Sequence, residues 1–496
     1  MTFSRLVTPL NRFNLLGSTY PPSRNYFFQT TGSRLFSSYS SIQLNRAAVI
    51  HNVASLRQIL PLRTKLAAVL KGNAYGHGLV PMYQLVEPLV ECIAVFNAEE
   101  ALTVRKVEKK DAPQKRLLIL GPVSLQDILH CAKANIEMVL DASWKNHLPK
   151  LQELTTPIRV HIHLDTGLTR EGFDALRVEE ELLFLSEFIK KHKVIQVVGV
   201  MSHLGDADDS AERLFAQKQI AIFNHGVTRL QTLLGVQSLE RHIDASNGSL
   251  LHADAAYEMV RCGSTLYGQP SFKAMASLSI TEHRKFQADL EVAAGGASNF
   301  YRPPARESDM EPILEVTRAF EPITFEPVLS WTCLSQTIKL TTEDRFVGYG
   351  CNVACSKDRT LAVFPVGIAD GCTDSKALQI FIQDKKCPIL AIMMNHIIVD
   401  VTELKLPKEK LQHTQLEATL RPQAPGNDRP PIYELSRIGA HLPRKIINGN
   451  VEAAEIKLQK ALSPRKGPIL PPKSTLFTQY TDPKMEAKCL EMQGKL

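Results

Sequence analysis

Lys71 ends an apolar run and opens a glycine-rich turn, in Ala67-Ala68-Val69-Leu70-Lys71-Gly72-Asn73-Ala74-Tyr75-Gly76-His77-Gly78. An amine leaving a buried strand is partly desolvated, which lowers its pKa and favours the neutral, nucleophilic form. Schiff-base chemistry requires that form. A lysine after a strand is more commonly a solvated side chain, so the string alone leaves both readings open. Arg170, His203, Asn247 and Arg261 each follow another short apolar run. Metal chemistry has less support. Cys351 and Cys355 are four apart, but no second Cys or His pair completes a zinc site. Nine cysteines, an odd number without tight spacing, argue against a disulfide framework.

The elements that must position these residues come next. Residues 42–60 carry Ile42, Val49, Val53, Leu56 and Leu60 at helical spacings, which predicts an amphipathic helix. Eight short apolar runs follow: Leu66–Leu70, Cys92–Phe96, Leu117–Leu120, Ile136–Leu140, Ile158–Leu164, Ile195–Met201, His242–Ala245 and Glu258–Arg261. Helical stretches such as 208–234 lie between them. Alternating strands and helices imply parallel strands, and eight of them fit a closed (α/β)8 TIM-type barrel. A doubly wound open sheet is the competitor, weakened because no GxGxxG follows the first strand. In the barrel, Lys71, Arg170, His203, Asn247 and Arg261 would share the C-terminal face, where active sites gather.

From about residue 325 the texture becomes strand-like, in Val328–Leu340, Arg345–Gly350, Thr360–Val366 and Leu378–Val401. The expected organisation is a leader (1–41), the barrel (42–272), an insertion or linker (273–325) and a mostly β C-terminal domain (326–446). A tail (447–496), extended or disordered, completes it. Residues 403–430, polar with several prolines, read as an embellishment of the β domain.

The net charge of +7 is local. Five arginines fall in the first 46 residues and the first acid in the chain is Glu87, so the remainder carries +2. A nucleic-acid surface is therefore not what the charge reports. Eight serines, arginines and no acids in residues 1–41 give a transit-peptide composition. The expected destination is the mitochondrial matrix, with the cytoplasm as alternative. No apolar run is long enough for a transmembrane helix, so no membrane partner is expected.

The Lys71 string resembles the cofactor-lysine motif of the alanine racemase family, and the resemblance continues in order over most of residues 45–445. Asp165-Thr166-Gly167-Leu168-Thr169-Arg170-Glu171-Gly172-Phe173 is similar to that family's Asp-Thr-Gly-Met-x-Arg-x-Gly-Phe. Ser202-His203 with Ala207-Asp208, Ser246-Asn247-Gly248-Ser249, and Val260-Arg261-Cys262-Gly263-Ser264 with Leu266-Tyr267-Gly268 resemble later elements. So do Val347-Gly348-Tyr349-Gly350 and Pro365-Val366-Gly367-Ile368-Ala369-Asp370-Gly371. One such motif is weak; six in order are strong.

The resemblance implies a pyridoxal 5′-phosphate (PLP) racemase for alanine or a related small amino acid, working as a homodimer with a composite site. Lys71 would hold the cofactor and serve one face of the substrate. Tyr349 of a second subunit would serve the other. Arg261 would face the pyridine nitrogen as a pure donor, Gly263 and Ser264 would offer amides to the phosphate, and Tyr75 a hydroxyl. His203 and Asn247 would lie beside the cofactor, with Arg170 and the backbone near Met394 orienting substrate.

Departures from the family pattern concentrate around the gate and pocket. Ile368 stands where a Tyr is usual, and Pro388–His396 lacks the expected Gly-Arg, with Asn395 in place of Asp. His163 replaces a lysine that is carbamylated in many members, and Gly248 replaces a phosphate-binding Ser, for which Ser246 or Ser249 would compensate. Rival readings are therefore a racemase for serine or a basic amino acid, and a non-catalytic or degenerate PLP-binding protein.

Overall fold

The computed structural model describes residues 39–271 and 323–463, apart from 110, 153–154, 206–212, 253–254, 373–377 and 423–434. Residues 1–38, Ala207-Asp208, almost all of the expected insertion and the end of the tail lie outside the described residues, while Ser40 and Ser41, expected in the leader, belong to a strand.

The chain enters through β1 (Ser40–Asn45), not through a helix. Its inward residues alternate as Ser40, Ile42 and Leu44, the period of a strand with one buried face. The expected helix over 42–60 is thus corrected to a helix over Arg46–Ile59, begun by Asn45, whose side chain accepts from the Ala48 amide.

Eight parallel strands then build the barrel: β2 (Lys65–Val69), β3 (Cys92–Val95), β4 (Arg116–Ile119), β5 (Glu137–Leu140), β6 (Ile158–Asp165), β8 (Ile195–Met201), β9 (Glu240–His242) and β10 (Met259–Cys262). A two-residue β7 (Phe173–Asp174) pairs with β6 off this path. Their order, β10-β2-β3-β4-β5-β6-β8-β9, is nearly closed. An isolated parallel bridge between Ala245 and Arg261, and the Arg261 amide on the Asp244 carbonyl at 3.2 Å, span the remaining gap. Seven of the eight expected runs coincide closely with strands; the run expected at His242–Ala245 shares only His242 with β9, and Ala245 makes an isolated bridge instead.

Both faces of these strands are covered, which is why they read as apolar runs rather than alternations. Leu66, Ala68, Ile93, Leu117 and Ile119 pack outward in the main core. Ala67, Val69, Cys92, Ala94, Leu118, Val139, Met201 and Met259 form a separate interior cluster.

The β domain carries a six-stranded sheet and a four-stranded sheet. In the larger, residues 417–422 lie between 378–382 and 329–334, β1 pairs with 329–334, and 444–447 closes the far edge. The polar segment 403–430 is therefore not only an embellishment. Buried Ala418 and Leu420 alternate with less buried neighbours, and pairing on both sides makes 417–422 an internal strand. The tail reading is corrected too. Asn450 caps a helix over Val451–Leu462, whose Ala454 packs with Val451 and Leu458 against Ala47 and Ile50 of the first helix. Among the described residues, no helix is long and apolar enough to cross a membrane.

Candidate active site

Lys71 follows β2 at the C-terminal mouth of the barrel. Beyond it the backbone takes five successive positive φ values, from Gly72 (63°) through Asn73, Ala74 and Tyr75 to Gly76 (82°). A left-handed turn costs roughly 1–2 kcal/mol for each non-glycine residue, so it must be held from outside. The Asn73 amide donates to Glu100, the Asn73 side chain accepts from the Leu79 amide at 2.9 Å, and Arg444 donates to the Gly76 carbonyl at 2.8 Å. The turn brings Tyr75 back over the mouth. A Cβ built on Gly263 would sit 3.1 Å from its hydroxyl oxygen.

Burial, followed by the charges of Arg170 and Arg261, pulls the Lys71 amine below its ordinary value of 10.5, against smaller opposing effects of Glu171 and Glu100. Lys71, Arg170 and Arg261 thus share one electropositive mouth. Arg170 is half-exposed and pairs with Glu171.

Arg261 lies on β10 and is 3% exposed. Its guanidinium donates to the carbonyls of Ser202 (2.7 Å), His242 (2.8 Å) and Ile243 (3.1 Å), and to ring nitrogens of His242 (2.7 Å) and His203 (3.3 Å). Burial lowers its pKa to about 10, so it stays charged at neutral pH. Because an arginine only donates, the Nδ1 atoms of both histidines must accept. Burial, then the Arg261 charge, holds both rings well below the usual imidazole value.

The Gly263 and Thr265 amides both point at the Ser246 hydroxyl, at 2.8 and 3.4 Å. Ser246 belongs in this cradle, although the motif alone singled out Asn247. The Asn247 carbonyl oxygen instead accepts from the Ser271 amide at 3.4 Å. Gly248 has a steric cause: a Cβ there would lie 2.7 Å from an Asp244 oxygen. Ser264 is half-buried beside the cradle, and its carbonyl accepts from the Gln269 amide. His163, buried near the mouth, is lowered to about 4 by burial and the Arg261 charge.

Tyr349 and Met394 belong to another surface. Tyr349 starts a 3-10 turn over Tyr349–Cys351 and is 85% exposed; Met394 is 60% exposed. The Met393 and Met394 carbonyls accept from the Ile368 and Ala369 amides, a close approach that Gly367 permits. Tyr349, Ile368 and Met394 thus stand exposed on the β domain. Among the described residues, no hydrogen bond or ion pair joins Tyr349 or Met394 to Lys71.

Sequence reasoning offered Ser246 only beside Ser249, as a replacement for the serine lost at Gly248, and it missed the interior histidines His161 and His242. The period-two pattern of β6, which puts His161 and His163 on one face, was a usable signal.

Fold and mouth together define a barrel enzyme with a lysine set among donors suited to small anions. Residues 44–270 match the alanine racemase N-terminal domain, and residues 328–441 the alanine racemase C-terminal domain. The alanine racemase of Leptospira interrogans is 27% identical over 382 residues, covering 75% of this chain and 85% of its own length. That of Lactobacillus acidophilus is 26% identical over 375 residues, covering 74% and 85%. Among solved structures, alanine racemase from Bacillus anthracis with bound L-Ala-P superposes with a TM-score of 0.65 at 20% identity, covering 84% of this chain and 97% of that one. The chain belongs to the alanine racemase family, a family of isomerases.

These relatives are bacterial alanine racemases, from organisms without mitochondria, and nothing among them supports a mitochondrial leader. The expected matrix destination is corrected on that finding.

Proposed function

We propose that this chain interconverts L- and D-alanine with PLP held on Lys71, and that a second copy supplies Tyr349 to complete the site. The observation that carries the reading is the meeting of Lys71, just after β2, and Arg261, on the paired strand β10, at one barrel mouth, where the Arg261 charge helps lower the Lys71 amine. The names of the relatives favour alanine over serine or a basic amino acid, and retention of Lys71, Arg261 and Tyr349 favours an active enzyme over a degenerate binder.

The residues present fit the cofactor. The Ser246 hydroxyl and the Gly263 and Thr265 amides form a phosphate cradle with the Tyr75 hydroxyl alongside. Arg261 would donate to the pyridine nitrogen, with His203 beside the ring and Ser264 and Asn247 at the margins. PLP, when bound, supplies an electron sink that acidifies the α-proton of the attached amino acid.

The chain's own groups do the rest. Burial and neighbouring cations leave more of the Lys71 amine neutral, so its Nζ can take up and return a proton on one face of the substrate. Arg170, half-exposed and charged, would orient the substrate carboxylate, with the backbone at Met394 lining the approach. In one copy Tyr349 stands exposed on the β domain. Docking of a second copy would bury its hydroxyl opposite Lys71, with Ile368 and Met394 at the margin. A donor-only arginine at the ring nitrogen keeps the sink weak, which favours return of the proton over side reactions.

The test follows α-proton exchange of L-alanine, L-serine and L-lysine in deuterated water with PLP, together with chiral analysis of products. Deuterated D-alanine from wild type, absent with Lys71→Ala and Tyr349→Phe, is the expected result. No exchange with any substrate, despite a Lys71-dependent cofactor absorbance, would replace this reading by that of a PLP-binding protein without racemase activity.

A further inference from the structure

A polar line runs through the barrel interior from its floor to Arg261, and the activity above does not call on its lower half. The floor lies at the N-terminal ends of the strands, opposite Lys71. There Glu137, the first residue of β5, is 3% exposed. One of its carboxylate oxygens accepts from Arg116 Nε at 2.7 Å and lies 3.0 Å from His161 Nε2. The other accepts from Arg159 at 2.7 Å. Glu240, Arg116 and Lys65 complete the floor. His161, fully buried on β6, continues upward, its Nδ1 lying 2.8 Å from His242 Nε2. His242 Nδ1 in turn receives Arg261 Nη1 at 2.7 Å.

Chemistry fixes the proton order along this line. Arg261 has no acceptor, so His242 Nδ1 is bare and its Nε2 carries the hydrogen. His242 therefore donates to His161 Nδ1, which leaves the His161 hydrogen on Nε2, facing the Glu137 carboxylate. Arg116 Nη2 also lies 3.2 Å from His161 Nε2. Two donors cannot satisfy one another, so the carboxylate is the partner. Reversing the His161 tautomer would place a hydrogen against Arg261 at the top. Every donor thus points one way, from Arg261 to Glu137.

The backbone is shaped for this line. The pairing of β6 with β8 shifts register between Val160 and His161 and sets Gly199 opposite His161. A Cβ on Gly199 would lie 2.2 Å from His161 Nδ1. An interior filled by aliphatic side chains would not need such a notch. Asp244, buried on the loop after β9, also acts on Arg261 by its charge. His242 Nδ1, held by the line below it, adds a fixed acceptor on Nη1 that helps set the plane of the guanidinium.

We propose that His161 and Glu137 are positioning residues for catalysis, locking the His242 tautomer through a one-way line of hydrogen bonds and so fixing Arg261 toward the cofactor ring. The proposal rests on the PLP racemase reading for its catalytic consequence, though not for the proton order itself.

The test uses the full chain with 15N-labelled histidine, with and without PLP. Nitrogen chemical shifts should report bare Nδ1 and protonated Nε2 on both His161 and His242. A protonated Nδ1 or an imidazolium at either ring would overturn the order. His161→Leu should lower kcat about tenfold, as loss of an outer partner of a reactive group does, with KM unchanged and the cofactor absorbance shifted. His161→Gln can accept from His242 and donate to Glu137 through one amide, and should restore kcat and absorbance to within about twofold of wild type. Equal behaviour of the Leu and Gln variants would overturn the positioning role. Should His161→Leu fail to fold, the Gln variant and the wild-type shifts still decide. Failure of wild type to take up PLP or racemise alanine would instead sink the function reading and the catalytic role with it, while the shifts still judge the proton order.

Discussion

The Gly263 amide donates to the Ser246 hydroxyl at 2.8 Å, bringing the loop after β10 against the start of the Ser246–Leu251 helix. With the Thr265 amide aimed at the same oxygen, three donors converge where a phosphate would displace the serine as acceptor. Hydrogen bonds to a charged group contribute about 1.5–3 kcal/mol. Ser246→Ala should therefore weaken PLP binding by roughly ten- to a hundredfold, whereas Asn247→Ala should change it much less. Absorbance titration of the apo chain with PLP measures both, and equal losses would return Asn247 to the cradle.

This pair also marks where sequence reading succeeded and where it stopped. Most barrel strands were legible because they are largely buried and read as short apolar runs, whereas Glu240–His242, with only His242 buried, carries no such signal. Lys71 and Arg261 were legible because they end such runs. Ser40–Asn45 was not: its Ile42 also fits a helical spacing with Val49, and its partners lie about 290 and 400 residues away in the chain. Residues 417–422 were hidden by the prolines and polar residues around them. The choice of Ser246 over Asn247 depends on loop geometry one residue wide. His161 and His242 belong to a line of contacts between strands far apart in sequence, which no local pattern displays.

Acid should destabilise the fold through its buried histidines. His77 is fully buried, and burial lowers its pKa from 6.5 to about 3. Below pH 6.5 the unfolded chain takes up a proton that the folded chain refuses until about pH 3. Stability from this residue is thus complete above pH 6.5 and falls as pH drops, by about 1.4 kcal/mol per unit. His163, lowered to about 4, adds in the same direction. His77→Asn keeps a donor for the Tyr75 carbonyl but does not titrate, so its urea midpoint should fall less steeply than that of wild type between pH 6 and 4. Parallel slopes would show that His77 is not protonated on unfolding.

Gly76 joins the Lys71 turn to the β domain, and its requirement is steric as well as conformational. Its φ is +82°, and a Cβ would lie 2.0 Å from the Leu435 carbonyl oxygen. Gly76→Ala should destabilise the protein by about 2–4 kcal/mol, combining the left-handed penalty with overpacking. Gly72 has a similar φ of +63° but nothing within 4 Å of its Cβ. Gly72→Ala should then cost only about 1–2 kcal/mol. Denaturant midpoints of the two variants separate the steric part from the conformational part, and equal losses would remove the contact with Leu435 from the account.

Tyr349 is 85% exposed while Lys71 lies half-buried in the barrel mouth, a separation that a composite site turns into a measurable consequence. If each site takes Lys71 from one copy and Tyr349 from another, Lys71→Ala and Tyr349→Phe damage different contributors to the same site. Each homodimer is then inactive, yet a mixed dimer contains one site with both residues intact and one with neither. Random reassortment of equal amounts makes half of the dimers mixed, each with one of two sites working, so the mixture should recover about one quarter of wild-type activity. The two variants are unfolded together, refolded, and assayed against each refolded alone. Recovery near a quarter requires Tyr349 to act across a subunit boundary. No recovery, with mixed dimers demonstrated by differential tagging, would mean that both residues serve the same chain and that the β domain must fold back onto its own barrel.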